Sequence, residues 1–107
     1  MLRYALLFQG LAAAPAATDE QTADYNKRWA SWMGELAKAG VLIAGGPFEP
    51  RGNVVTAERI DELELQRVDI GGFLLIDAVD EPAANAIARA APHVELGGST
   101  IVRPVIG

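Results

Sequence analysis

Few side chains in this sequence can transfer a proton near neutral pH. His93 is the only histidine, and imidazole is the side chain that most readily gains and loses a proton in that range. It follows Pro92, at the point where a predicted helix gives way to a strand. An imidazole held against a ligand could act as a general acid or base. The alternative is an exposed loop residue without such a role.

Tyr4 and Arg103 lie in two predicted strands, and their polar groups could have different functions. The Tyr4 hydroxyl could donate a proton to a carbonyl oxygen, or it could belong to ordinary packing. Arg103 should share a strand face with Ile101, so its guanidinium needs an acidic partner or an anionic ligand. Asp69 or Glu64 could be that partner. The candidate catalytic residues are His93, Asp69, Tyr4 and Arg103.

Aromatic side chains could form the wall of a ligand pocket. Trp29 and Trp32 are three residues apart and share one face of a predicted helix, where they would make a flat apolar wall for a ring-shaped ligand. The same spacing is typical of a helix that packs on a sheet, so a purely structural role stays open. The candidate substrate-binding residues are Trp29, Trp32, Phe48 and Phe73.

Composition excludes several classes of function. The 107 residues include 9 Lys and Arg against 14 Asp and Glu, for a net charge of -5, so no basic surface is available for nucleic acid. Cysteine is absent, which rules out disulfides and zinc-thiolate sites. No phosphate loop, nucleotide fingerprint or nucleophile elbow occurs. We therefore expect no metal and no cofactor, and acid-base chemistry on a small-molecule ligand.

The start of the chain has some features of a signal peptide. Residues 4–14 are largely apolar and an Ala-Pro-Ala sequence follows, but Gln9 and Gly10 interrupt the run. A first strand followed by a loop over residues 11–17 explains this pattern better. No apolar run approaches the ~20 residues that a membrane span needs. We therefore predict a cytoplasmic protein that does not enter a membrane.

The elements that must position these residues follow from apolar periodicity and from helix caps. Apolar runs predict strands at residues 2–9, 41–44, 72–78 and 99–106. The second strand should stop at Gly45-Gly46-Pro47, and Pro104 should place the last strand near a sheet edge. Thr18 and Gln21 form a capping box for a helix over residues 18–39, and Asp80 opens a helix that Pro92 ends. Residues 54–69 fit a helix or a hairpin, and we favour the hairpin.

The order of these elements predicts a single α+β domain of β-α-β-β-α-β form. Both helices connect strands of one sheet, so right-handed crossovers place them on the same side. The strands at 41–44 and 73–76 are apolar at every position, which indicates that both faces of the sheet are buried. A second copy of the chain would cover the far face in an isologous homodimer. The alternative is a monomer in which residues 54–69 form a lid.

Several segments, taken together, resemble one protein family. They are residues 32–40 (WMGELAKAG), 41–48 (VLIAGGPF), 71–77 (GGFLLID), the acidic start of the second helix, and 101–105 (IVRPV). Their order and spacing resemble the YCII-related, or DGPF-type, proteins of the dimeric α/β-barrel superfamily. The resemblance implies a ferredoxin-like protomer that pairs into a barrel.

The chain departs from this family at its functional residues. In the YCII branch a histidine near the middle of the first helix pairs with an aspartate, but Trp29 occupies that position here. The Asp-Gly-Pro-Phe signature of the other branch is missing before Gly71. No catalytic dyad therefore transfers. Some relatives are isomerases, lyases or dehalogenases of lactones and ring compounds, which suggests a cofactor-independent isomerase, lyase or cyclase for a small apolar substrate. The alternative is a non-catalytic ligand-binding or assembly domain.

Overall fold

An antiparallel sheet with two helices forms the body of the protein. The computed structural model describes residues 1–10, 18–49, 51–63 and 70–107. The strands are Leu2–Gln9 (β1), Leu42–Pro47 (β2), Asn53–Val55 (β3), Ile60–Glu62 (β4), Ile70–Ala78 (β5) and Ser99–Pro104 (β6). The helices are Asp19–Lys38 (α1) and Glu81–Arg89 (α2), and a short 3-10 helix spans Val94–Leu96. The loop predicted for residues 11–17 lies outside the described residues.

Both helices begin at the caps that the sequence predicts. The Thr18 hydroxyl accepts a hydrogen bond from the Gln21 backbone at 3.1 Å, and the Gln21 side chain accepts one from the Thr18 backbone at 2.9 Å. The Asp80 carboxylate accepts a hydrogen bond from the Ala83 backbone at 2.9 Å. These bonds satisfy amide groups that the first turn of a helix leaves without partners.

The sheet has the strand order β2-β5-β1-β6, and all its neighbouring strands are antiparallel. The long strands β1 and β5 lie at the centre, and β6 forms one edge, as Pro104 predicts. The β3 and β4 strands form a separate hairpin inserted between β2 and β5. Without this hairpin the order is that of a ferredoxin-like fold. The predicted α+β, ferredoxin-like class is confirmed.

One face of the sheet packs against both helices and forms the core. Alternate residues of β1 and β5 point to this face because side chains alternate along a strand. The register pairs Tyr4 with Ile76 and Leu6 with Leu74, and all four side chains are buried. The core is completed by residues of the two helices, Trp32, Leu36, Ala84 and Ala88. The predicted placement of both helices on one side is confirmed.

The other face of the sheet carries the alternate set of side chains. It includes Ala5, Leu7, Phe73 and Leu75, which are only half-buried in the single chain. Arg3 and Asp77 are paired at its end, with 3.1 Å between Nε and Oδ1. The expectation that a second copy covers this face concerns an assembly and stays a prediction.

The β2 strand is longer than its apolar run suggests. It continues through Gly45, Gly46 and Pro47, and Pro47 pairs with Gly72. The prediction that this Gly-Gly-Pro sequence ends the strand is therefore wrong. An edge strand tolerates proline because one of its sides makes no ladder hydrogen bonds. The register shifts between Leu42 and Ala44, so β2 is irregular as well as extended.

The segment that could be read as helix or hairpin is a hairpin where the structure describes it. Its apolar side chains lie on the surface, with Val55 69% and Ile60 70% exposed. Residues 64–69, the rest of the predicted segment, lie outside the described residues. Among the helices that are described, none is both long enough and apolar enough to span a bilayer.

Gly45 is required by the path of β2, and this requirement can be tested. Its φ is +141°, and a Cβ at this position would lie 2.3 Å from the carbonyl oxygen of Phe73. We expect Gly45→Ala to lower the free energy of unfolding by about 1–3 kcal/mol or more. Gly34, inside α1, has open space around it, so Gly34→Ala should raise stability by about 0.5–1 kcal/mol. Urea unfolding of both variants measures the contrast, and equal effects would contradict it.

Candidate functional site

A cavity of about 330 Å³ lies between the middle of α1 and the sheet. It is situated where β1 and β2 end and β5 begins. The lining is largely apolar and comes from three strands, α1 and the segment after α2. The lining residues are Phe8, Gly10, Tyr25, Asn26, Trp29, Met33, Gly46, Pro47, Gly71, Gly72, Phe73, Leu74 and His93.

His93 borders this cavity and is only 4% exposed. Pro92 follows the end of α2, and the 3-10 helix starts directly after His93. The imidazole Nε2 lies 2.8 Å from the carbonyl oxygen of Ser99 at the start of β6. The backbone of Gly98 donates a hydrogen bond to the His93 carbonyl at 3.0 Å. These contacts attach the loop to β6, so His93 is a fixed interior residue and not an exposed loop imidazole.

Aromatic rings hold the His93 imidazole in its orientation. The Trp29 ring stacks on it with centroids 5.5 Å apart and an interplanar angle of 20°. Phe8 meets it edge-on at 5.2 Å and 75°. The other imidazole nitrogen, Nδ1, is buried and has no hydrogen-bond partner among the described residues. His93 is therefore rigidly placed, with one ring nitrogen left unpaired in an apolar setting.

The cavity wall on α1 repeats with the period of the helix. Tyr25, Trp29 and Met33 are four residues apart and lie on one helix face, as side chains at this spacing do. The sequence pattern identifies this stripe as apolar, but a core and a cavity wall look alike in sequence. Asn26 and Phe8 also line the cavity and were not among the candidates. In the sequence, the only signal that Asn26 lines the cavity is its position next to this stripe.

The predicted catalytic residues do not all meet at the cavity. Tyr4 is buried in the core on the helix side of the sheet and is not among the cavity-lining residues. Arg103 is exposed and pairs across the sheet with Ala5, which places it on the far face together with Ile101. No described carboxylate forms an ion pair with Arg103. Asp69 lies outside the described residues.

The predicted aromatic residues are divided between the two faces. Trp29 lines the cavity, whereas Trp32 is buried in the core beside it. The register directs the Phe73 side chain to the far face of the sheet, where its ring stacks with that of Phe48 at 5.6 Å. Phe48 is 51% exposed and does not line the cavity. Phe73 is nevertheless among the residues that line the cavity, through its position in β5.

The arrangement could serve proton transfer in a largely apolar cavity. The polar side chains on its wall are His93, Tyr25 and Asn26. Tyr25 could supply a proton and Asn26 could orient a polar substituent. Across residues 1–10, 18–49, 51–63 and 70–107, no group of three His, Cys, Asp or Glu side chains is close enough to hold a metal ion.

The position of His93 depends on a glycine at 98. A Cβ at Gly98 would lie 2.6 Å from Cδ2 of His93 and 3.0 Å from the carbonyl oxygen of Gln9. Gly98→Ala should displace the imidazole and lower stability by about 1–3 kcal/mol. Gly71→Ala is the matched control because its nearest neighbour would be the Phe8 oxygen at 3.9 Å. The NMR signals of the His93 ring and thermal unfolding check the prediction, which fails if the two variants behave alike.

Comparisons with known proteins agree with this architecture. The YCII-related domain matches residues 3–106, and no curated protein matches the chain. A similar solved structure is 5-chloro-2-hydroxyhydroquinone dehydrochlorinase from Burkholderia phenoliruptrix AC1100, in complex with 2,5-dihydroxybenzoquinone. It is 15% identical, has a TM-score of 0.61, and the match covers 98% of this chain and 94% of that chain. At 15% identity, this similarity is evidence for a shared fold alone. The match over residues 3–106 means that this chain belongs to the YCII-related domain family.

Proposed function

We propose that the protein is a cofactor-independent enzyme, an isomerase, lyase or cyclase, that performs acid-base chemistry on a small ring compound in the cavity. The observation that carries the proposal is the buried His93 imidazole, held in place by the Ser99 carbonyl and by aromatic rings and bordering a largely apolar cavity. The cavity volume of about 330 Å³ falls within the ~300–1,000 Å³ typical of small-molecule sites. A single ring with small substituents suits that space.

Among the three reaction types, a lyase is favoured. The structurally similar dehydrochlorinase removes the elements of HCl from a hydroxylated ring, as its name states, and was solved with a dihydroxybenzoquinone. In the equivalent step here, the imidazole takes a proton from the ring compound. The electron pair of the broken bond moves into the ring, and the leaving group departs with the pair of its own bond. No electrons are gained or lost, so no redox partner is needed.

The acid-base role can be tested with the substrate of the similar enzyme. We expect release of chloride from 5-chloro-2-hydroxyhydroquinone, measured with a chloride electrode, or failing turnover, binding of 2,5-dihydroxybenzoquinone. His93→Gln should lower turnover by about 10²–10⁴-fold because it removes the proton acceptor. Arg89→Gln, at the exposed end of α2, should leave turnover unchanged. Full activity in His93→Gln would contradict the assignment of the imidazole.

A non-catalytic ligand-binding domain is the second candidate. It is favoured by the small number of polar groups on the cavity wall, since His93 is the only imidazole, carboxylate or amine among the described lining residues. Binding of a ring compound without turnover of any in a panel of halogenated hydroquinones and lactones would select this candidate.

The homodimer is also part of our proposal. The single chain is a slab of 42 × 40 × 20 Å with a radius of gyration of 15.2 Å, compared with about 13 Å for a compact domain of this length. The far face carries half-buried apolar residues at its centre, and its Arg3–Asp77 pair is internally neutralised. Such a face suits a second copy of itself, since apolar strands on a two-fold axis cover each other.

The proposed homodimer predicts the mass that the protein should have in solution. Native mass spectrometry at micromolar concentration should detect a dimer. Leu75→Glu, at the middle of the far face, should produce a folded monomer because it places a charge in the apolar contact. Val79→Glu, beyond the end of β5 and already 70% exposed, should stay dimeric. A monomeric wild-type protein would rule the dimer out.

A further inference from the structure

The β3–β4 hairpin has an apolar face that no other part of the described chain covers. The register pairs Val55 with Ile60 and Asn53 with Glu62, so these four side chains share one face of the hairpin. Val55 and Ile60 are 69% and 70% exposed although they are neighbours. No helix or other strand among the described residues packs extensively on the hairpin. A two-stranded hairpin by itself is at best marginally stable in water, so this face needs a surface to pack on.

The accessible surface of the chain is larger than that of a compact monomer. It measures 7727 Å², whereas a folded monomer of 11.3 kDa exposes about 5,700 Å². The difference exceeds the ~800 Å² that each partner contributes to a stable interface. The chain therefore has enough uncovered surface to bind a second molecule.

The hairpin is continuous with the far face of the sheet, which is the proposed dimer interface. Phe48 lies between β2 and β3, and its backbone donates a hydrogen bond to the Gly71 carbonyl at 2.8 Å. Its ring stacks on that of Phe73, whose side chain belongs to the far face. Apolar surface therefore extends from the far face to the residues that lead into the hairpin. A molecule that covers the far face also reaches the hairpin.

The charges of the hairpin complement a charge on the far face. Arg103 lies on the far face of β6, and no described carboxylate forms an ion pair with it. Residues 53–63 include three carboxylates and one guanidinium, and that guanidinium, of Arg59, pairs with Asp61 at 2.8 Å. Glu62 has no ion-pair partner among the described residues. Covering Arg103 without an acidic partner would be costly, and Glu62 of a second copy can supply that acid.

Resting on the homodimer proposed above, we infer that the hairpin of each copy packs on the β6 edge of the other copy's far face. Val55 and Ile60 contact apolar residues there, and Glu62 pairs with the partner's Arg103. Ile60 and Glu62 are two residues apart, as are Val105 and Arg103, so an apolar contact and an ion pair form side by side.

This contact defines the direction of the two-fold axis. An axis parallel to the strands places the β2 edge of one sheet, beside which the hairpin is inserted, over the β6 edge of the other sheet. An axis perpendicular to the strands, within the plane of the interface, would bring the two hairpins together. Each hairpin carries a net negative charge over residues 53–63, and like charges that face each other oppose association.

Shorter side chains on the hairpin test the apolar contact. The double variant Val55→Ser/Ile60→Ser should raise the dissociation constant of the dimer about 10–100-fold, because apolar side chains no longer cover the partner. Val79→Ser is the matched control, since Val79 is 70% exposed and lies beyond the end of β5, and it should keep the wild-type constant. Analytical ultracentrifugation over a dilution series measures the constants, and circular dichroism checks that the variants fold.

Charge reversal tests the ion pair. Glu62→Arg and Arg103→Glu should each raise the dissociation constant about tenfold, because like charges then face each other. The combined variant Glu62→Arg/Arg103→Glu should return the constant to near the wild-type value, since the two reversals restore an opposite pair. Two changes that act independently would add their effects instead.

The possible failures separate the inference from the proposals on which it rests. A wild-type dimer with an unchanged constant in Val55→Ser/Ile60→Ser, or a combined reversal that restores nothing, overturns the inference and leaves the homodimer and the enzyme intact. A monomeric wild-type protein removes the homodimer and the inference together, but not the enzyme. An unchanged dimer in which Val55→Ser/Ile60→Ser weakens binding of 2,5-dihydroxybenzoquinone would show that the hairpin covers the cavity of its own chain, which also contradicts the inference.

Discussion

The alternation of side chains along β1 and β5 is the constraint on which the rest of the structure depends. Successive residues of a strand point to opposite faces, so each of these central strands supplies one set of side chains to the helices and another to the far face. Leu6 and Leu74 belong to the first set and are completely or almost completely buried. Leu7 and Phe73 belong to the second set. A shift of one residue in the register would exchange the two sets, which would expose the core and remove Phe8 from the cavity.

The cavity exists where this layered packing ends. Beside the end of β1, α1 borders the cavity with the aromatic stripe that includes Tyr25 and Trp29. The segment after α2 also borders this space and brings His93 into contact with Trp29 and Phe8. The imidazole thus serves the packing and the proposed chemistry at once. Its Nε2 is used by the fold, through the Ser99 carbonyl.

The position of the histidine differs between this chain and the YCII branch. The resemblance to the YCII branch implies a histidine on the first helix, and here Trp29 stands at that position, with its ring stacked on the His93 imidazole from the segment after α2. Under the proposed function, the proton acceptor therefore comes from the segment after α2 and not from the first helix. Burial of the imidazole and an apolar surface for the ring compound do not demand one particular position in the chain.

The sequence alone was sufficient to predict the two helices, the four strands of the main sheet and their α+β order, because apolar periodicity, the Thr18 capping box, the Asp80 cap and Pro104 are local signals. The ferredoxin-like class followed from the resemblance to a family. The sequence also singled out His93 and Trp29. Only the tertiary structure decided that the two rings stack, that Tyr4 belongs to the core, that Arg103 lies on the far face and that β2 continues through Pro47. These outcomes depend on register and on contacts between residues distant in the chain. No local pattern encodes them, since the same apolar stripe fits a core and a cavity wall equally well.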